Sequence, residues 1–237
     1  MKKSENLMVL RKPKFFIQKK NKYTVIVWNI YKAKKKGFYE DFTKLLTDLD
    51  LILLQEYSAL PMLNNIIQNS DKESVMAMSF ANKANVATGV CTISSMRSIK
   101  TSSILSTVLE PITKTPKSVL ITHYNLKKKL MVINVHAINF VADHKFRTHM
   151  NQIEEYIKDY GGSIILAGDF NTWSSKRVSI INDMTGRNNL TQIEFLDDNR
   201  RLKLDRVFVR DCNIKNQKIL NTYNSSDHKP LYFELIF

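Results

Sequence analysis

Short apolar runs separated by polar connectors fill the chain, and the period of the apolar positions changes along it. Tyr23–Trp28, Leu51–Leu54, Ser163–Ala167 and Leu231–Phe237 are β-branched, aliphatic and aromatic runs, the composition of buried strands. Phe38–Leu46 and residues 141–160 instead space their apolar positions by three and four. The second of these places Phe146, Met150, Ile153 and Ile157 on one stripe and stops at Gly161-Gly162, so both are predicted helices. Pro61 opens a further helix over residues 59–68, because proline is tolerated in a first turn. Shorter strands are predicted at residues 74–80, 89–95, 104–109, 118–125 and 130–135, with Lys127–Lys129 as the hairpin turn joining the last two. Beyond residue 167 the pattern gives a helix at 174–184, strands at 204–209 and 217–220, and the C-terminal strand. Strands in two runs with helices interspersed predict two packed sheets flanked by helices.

Composition narrows the class. The 237 residues are 43% hydrophobic and 24% charged, the balance of a globular domain with an ample core. Residues 23–237 are read as a single domain behind a basic lead-in, residues 1–22. That lead-in holds no apolar run of signal-peptide length, since Leu7–Leu10 is followed at once by Arg11-Lys12, and no stretch approaches a bilayer span. A cytoplasmic setting is the expectation. Cys91 and Cys212 have no metal-binding spacing and are expected to be reduced and structural.

The formal charge of +14 is unevenly distributed: residues 1–36 hold twelve Lys or Arg against Glu5, leaving only +3 for the rest. Basic character therefore belongs to the lead-in and one loop, and does not mark the whole surface as a nucleic-acid cradle.

The chemistry is concentrated at strand ends. Gly168-Asp169-Phe170-Asn171 closes an apolar run, and period-two alternation puts Asp169 and Asn171 on one face. Ser225-Ser226-Asp227-His228-Lys229-Pro230 sets an acid and an imidazole just before the last strand. Such a set suits phosphate-ester hydrolysis, which needs a positioned water, neutralised phosphate oxygens and help for the leaving oxygen.

Six motifs in order carry a resemblance: Trp28-Asn29-Ile30, Gln55-Glu56, Asn134-Val-His136-Ala-Ile-Asn139, the Gly-Asp-Phe-Asn element, Leu204-Asp205-Arg-Val-Phe208, and Ser226-Asp227-His228. The chain resembles the DNase I-like endonuclease/exonuclease/phosphatase superfamily. Its His-Ala-Ile-Asn-Phe and Gly-Asp-Phe-Asn-Thr-Trp wording is similar to the bacterial YafD-like branch. The resemblance implies a four-layer α/β/β/α sandwich of two packed, mostly antiparallel sheets, and a Mg²⁺- or Mn²⁺-dependent phosphoesterase.

Residue by residue, the resemblance assigns metal binding to Asn29 and Glu56, with Asp227 as a further ligand, directly or through water. Asp169 and Asn171 would orient water and the scissile phosphate, Asp169 acting as base. Asp205 would fix the tautomer of His228 and raise its pKa, so that a cation faces the phosphate. His136 and Asn139 would bind phosphate oxygens. A histidine at position 136 argues against the abasic-site endonuclease branch, which has tyrosine there. Relatives pair this histidine with a glutamate from an earlier strand; Glu73 is the better of two poor matches, Asp71 being the other, and the role stays unassigned.

Trp173 could stack on a base or pack at the rim. Lys34, Lys35 and Lys36 follow the Asn29 strand end and could reach a polyanion, as could Arg177, although charge runs are more often solvated loops. His123, His144 and His149 are read as packing or surface residues. Nucleic acid is the expected substrate. A phospholipid head group or phosphorylated small molecule is the alternative, and a non-catalytic polyanion binder the third reading.

Overall fold

The computed structural model describes residues 6–13, 20–196 and 198–237. One sheet contains β1 (Leu7–Arg11), β2 (Lys22–Asn29), β3 (Leu51–Ser58), β4 (Glu73–Ala81), β5 (Ala87–Ser94), β12 (Asn213–Ile219) and β13 (Leu231–Ile236), in the order β1-β4-β5-β3-β2-β13-β12. The other contains β6 (Ser98–Leu105), β7 (Ser118–Asn125), β8 (Lys129–His136), β9 (Ser163–Asp169), β10 (Thr191–Gln192) and β11 (Asp205–Arg210), in the order β10-β11-β9-β8-β7-β6. Helices α1 (Phe38–Asp48) and α2 (Pro61–Gln68) belong to the first sheet, α3 (Asp143–Ile157) and α4 (Ser175–Arg187) to the second.

Alternation along each strand builds three apolar layers. In β2, Val25 and Val27 face the other sheet and meet Val132, Ile165, Ala167 and Val207. Ile26 and Trp28 face outward onto Phe38, Phe42, Leu63 and Ile67 of α1 and α2. On the other side Ile133, Val135 and Leu166 pack under Phe146, Met150, Ile153 and Ile181 of α3 and α4. Burying each such side chain stabilises by roughly 1.5–3 kcal/mol relative to exposure. The result is the four-layer α/β/β/α sandwich.

Only two strand pairs among the described residues are parallel, β2 with β3 and β8 with β9, each joined by a helix as a parallel pair requires. Their carboxyl ends carry Asn29, Gln55, His136 and Asp169. Gly168, at φ +141°, sits so close to β8 that a Cβ would lie 2.0 Å from the Val135 carbonyl oxygen. Glycine at that position lets β9 run hard against β8 up to Asp169.

The differences from the sequence pattern fall on edge strands. β1 lies inside the expected lead-in, β6 begins at Ser98 rather than residue 104, β12 begins at Asn213 rather than 217, and the two-residue β10 had no signal. Edge strands bury less than central ones; β12, for example, is mostly exposed. No described helix is long and apolar enough to cross a membrane. Cys91 and Cys212 are both free thiols.

Candidate active site

The two parallel pairs end at the same place, and a hydrogen bond joins them: Asn29 Nδ2 donates to Asp169 Oδ2 at 2.9 Å. Asp169 is flanked in register by His136 on β8 and Asp205 on β11. Cross-strand neighbours share a face, and His136 Nε2 lies 3.8 Å from Asp169 Oδ2. Asp169 Oδ1 accepts from the Asn171 backbone N–H at 2.9 Å.

The segment before β13 closes the other side. Ser226 Oγ donates to the Asn29 carbonyl at 2.6 Å, and the Trp28 indole N–H donates to the His228 carbonyl at 3.1 Å. These contacts present His228 to Asp205, with Nδ1 and Oδ2 2.8 Å apart. Ligand-type atoms of Asp169, Asp205 and His228 all lie within 4.8 Å of one another. Asp227 is exposed beside them, its Oδ1 3.2 Å from Ser226 Oγ.

Burial alone would lower the His228 pKa. The Asp205 charge and hydrogen bond, with help from Asp169 and Asp227, outweigh it and raise the imidazole to about 10. Burial, then the neighbouring Asp205 carboxylate, pushes Asp169 up to about 6. His136 goes the other way: burial, then Lys117, His228 and Lys32, hold it well below the ordinary histidine value. The site thus holds one cationic imidazole, one neutral imidazole and a carboxyl poised near neutrality.

Glu56 owes its direction to a bulge. Leu54 and Tyr57 both belong to the outer apolar layer, and the register with β5 shifts between them. Two residues therefore occupy one inward position, and Glu56, at φ +51°, turns to the side of Gln55. Gln55 donates to Asn134 Oδ1 between the sheets at 2.8 Å. Left-handed backbone in a glutamate is costly and concentrates at functional positions. Three further residues in that conformation, Tyr31, Lys32 and Ala33 at φ 47°, 56° and 57°, follow Asn29 closely, anchored by Tyr31 N–H on Asn29 Oδ1 at 3.1 Å.

Several expected substrate contacts are engaged elsewhere. Asn139 Nδ2 donates to Asn171 Oδ1 at 2.7 Å, while its Oδ1 accepts from Phe140 N–H and the Trp173 indole N–H; these contacts tie it to its neighbours and use one of its two amide hydrogens. Arg177 is wholly buried, contrary to expectation. Its guanidinium donates to the carbonyls of Ile138, Asn171 and Val141, so it cannot face a polyanion. Lys35 donates to the Ser226 carbonyl at 2.9 Å and braces the site; Lys34 lies 5.5 Å over the Tyr31 ring, and Lys36 is exposed. Trp173 is half exposed at the rim.

Three contributors carried no clear sequence signal. Lys32 is half buried and influences His136 directly. Arg200, clamped by Asp198, donates to the Asp205 carbonyl at 3.0 Å. Glu110 accepts from Asn139 N–H at 3.2 Å and pairs with Lys117 at 3.3 Å. Glu73 lies at the wrong end of the sheet: its partner Ser94 also faces Leu51, the first residue of the strand on which Glu56 comes near the end, and its carboxylate accepts from Ser98 N–H. It cannot serve His136. His149, fully buried, accepts from Ile138 N–H through Nδ1 at 3.1 Å and so supports the His136–Asn139 turn from behind.

The family model of the Endonuclease/Exonuclease/phosphatase family matches residues 26–228, which span every strand end just described. The chain belongs to this family. Within it, the chain is 32% identical to the UPF0294 protein of Vibrio campbellii over 223 residues, covering 91% of this chain and 78% of that one. It is 34% identical to a UPF0294 protein of Photorhabdus laumondii over 218 residues, 89% and 82% of the two chains. The fold matches that of an endonuclease/exonuclease/phosphatase family protein from Leptotrichia buccalis with a TM-score of 0.71 at 16% identity, across 91% of this chain and 100% of that one. The YafD-like resemblance and the DNase I-like sandwich both stand.

Proposed function

We propose that this member of the family is a divalent-cation-dependent phosphodiester hydrolase acting on nucleic acid. The observation that carries the reading is the meeting of Asn29, His136, Asp169, Asp205 and His228 at the carboxyl ends of two facing parallel strand pairs. Asp169, with a pKa of about 6, takes the proton of an attacking water. His228, cationic at neutral pH, faces the developing phosphoryl charge, and Asp205 fixes its ring. Asn171, held by its contacts to Asp169, Asn139 and the Ala137 carbonyl, orients a phosphate oxygen, and neutral His136 offers a second contact.

The donor set fits a hard cation. Glu56 is a half-buried carboxylate on left-handed backbone next to Gln55, and the buried Asp205 Oδ1 has no hydrogen-bond partner. Glu56, Asn29 and Asp227 would hold Mg²⁺ or Mn²⁺, which prefers oxygen ligands. Bound there, the ion would neutralise charge on the phosphate and its leaving oxygen.

Turnover of single-stranded and duplex DNA and of RNA, with Mg²⁺ and with EDTA, tests the reading. Asp169→Ala is expected to lower kcat by roughly 10²–10⁴-fold, the usual weight of a positioned base. Glu56→Gln is expected to weaken Mn²⁺ binding by calorimetry. An Asp169→Ala protein that cleaves as fast as the parent sinks the nuclease assignment.

One observation favours a second substrate class. Leu109 and Ile112, on the loop that bonds Asn139 through Glu110, are 50% and 85% exposed, an apolar edge suited to a phospholipid surface. Hydrolysis of phospholipid vesicles in place of nucleic acid would select it.

A further inference from the structure

Trp173 is placed unlike an ordinary surface tryptophan. It is 49% exposed, yet its indole edge is fixed by the 2.9 Å hydrogen bond to Asn139 Oδ1. Its inner face rests on the Arg177 guanidinium, 4.5 Å from the ring centroid. That guanidinium lies in turn 4.6 Å from the centroid of buried Phe146 and is bonded to three carbonyls, so the support is part of the core. About half of the residue's surface stays exposed despite that support. Phe140, 67% exposed at φ +53°, hangs from the same Asn139 oxygen through its backbone N–H. Asn139 also holds Asn171, so the aromatic rim and the Asp169 pocket share one hydrogen-bond network.

Resting on the hydrolase reading above, we infer that Trp173, with Phe140 beside it, is a stacking platform for an unpaired nucleobase next to the scissile phosphate, making single-stranded nucleic acid the preferred substrate. A rigid, pre-oriented indole loses little entropy on binding, and base–aromatic stacking is worth about 1–3 kcal/mol per base. The backing cation decides between ring ligands. Arg177 already engages the negative quadrupole of the indole, so a second cation such as a choline head group gains little from the opposite face. A neutral, electron-rich base suffers no such penalty. An exposed aromatic two residues from Asn171 would otherwise leave apolar surface wet for no return.

The test is binding in EDTA, where nothing turns over, read by tryptophan fluorescence. Trp28, the other tryptophan, is 1% exposed, so quenching reports Trp173. A thymidine hexamer is expected to quench, and to bind about tenfold tighter than a hexamer of abasic residues with the same phosphates, a difference of about 1.4 kcal/mol. The variants lack the reporter and are read by anisotropy of end-labelled hexamers: Trp173→Ala should erase that difference by weakening only the base-bearing hexamer, and Trp173→Phe, which keeps a ring over Arg177, should restore most of it. Equal affinity for the two hexamers, or quenching by phosphocholine vesicles instead, overturns the platform. If the abasic hexamer is bound as well in EDTA, and cleaved as well once Mg²⁺ is supplied, the hydrolase stands and the platform falls. Base-dependent quenching without cleavage of any diester keeps the platform and removes the hydrolase.

Discussion

Asp205, on β11, and His228, in the segment before β13 of the other sheet, are 23 residues apart in sequence and 2.8 Å apart in space. That one contact acts on two titrations. It holds the His228 imidazole at about 10 against the effect of burial, and the same carboxylate helps burial push Asp169 to about 6. With Asp169 needed as carboxylate and His228 as cation, kcat/KM should rise through about pH 6 and keep its alkaline limb near 10. Asp205→Asn removes the like charge from Asp169 and the counter-charge from His228. Both limbs should move to lower pH, readable by NMR titration of the metal-free protein as well as from residual activity. Limbs that stay in place would show that Asp205 governs neither group.

The strained turn after Asn29 predicts a division among the lysines. Lys32 is half buried and adds to burial, Lys117 and His228 in lowering His136, whereas Lys36 is exposed. Lys32→Gln should lower kcat/KM for a polyanion by about tenfold at low salt, and let the His136 pKa rise because a nearby positive charge is gone. Lys36→Gln should change only the weak, salt-screened part of binding. Equal effects of the two substitutions would mean that the turn merely presents a basic loop.

The sequence carried the residues that must converge more clearly than the ones that make them converge. Asn29, His136, Asp169 and Asp205 lie at the ends of strands whose apolar runs are unmistakable, so their position follows from the run and their face from period two. Glu56 was legible as chemistry, but its left-handed backbone sits in a bulge that shows only as a register shift against β5. Arg177 misled because a cation on a helix just past the Asp-Phe-Asn element reads as a polyanion contact. Nothing local reveals that Phe146 and Trp173 will enclose it. Arg200 and Lys117 sit in connectors without periodicity, where only tertiary packing decides which side chain points inward.

That enclosure makes a clear prediction for Arg177. If it is a structural cation, Arg177→Ala leaves three buried carbonyls without their donor and unseats Trp173. Stability should fall by about 3 kcal/mol or more, the range for breaking a buried polar network. Denaturant unfolding measures it. A variant of unchanged stability with a raised KM would return Arg177 to the substrate.

His149 makes the fold itself pH-sensitive. Its ring is fully buried behind the His136–Asn139 turn, Nδ1 accepts from Ile138 N–H, and Nε2 has no partner. Burial, with Lys117 adding to it, lowers the imidazole from 6.5 to about 4. A histidine depressed in the folded state stabilises fully only above its unfolded pKa, because below that the unfolded chain gains a proton the native chain refuses. Stability from this residue should therefore be intact at pH 7 and fade below 6.5. The loss should reach about 2 kcal/mol by pH 5 and about 3 kcal/mol by pH 4, at 1.36 kcal/mol per pKa unit. His149→Gln offers an amide oxygen to Ile138 N–H and does not titrate. Relative to the parent it should lose less stability between pH 7 and pH 5 in urea unfolding, whatever its starting value. Parallel pH dependence in the two proteins would show that His149 is protonated as readily in the core as in water.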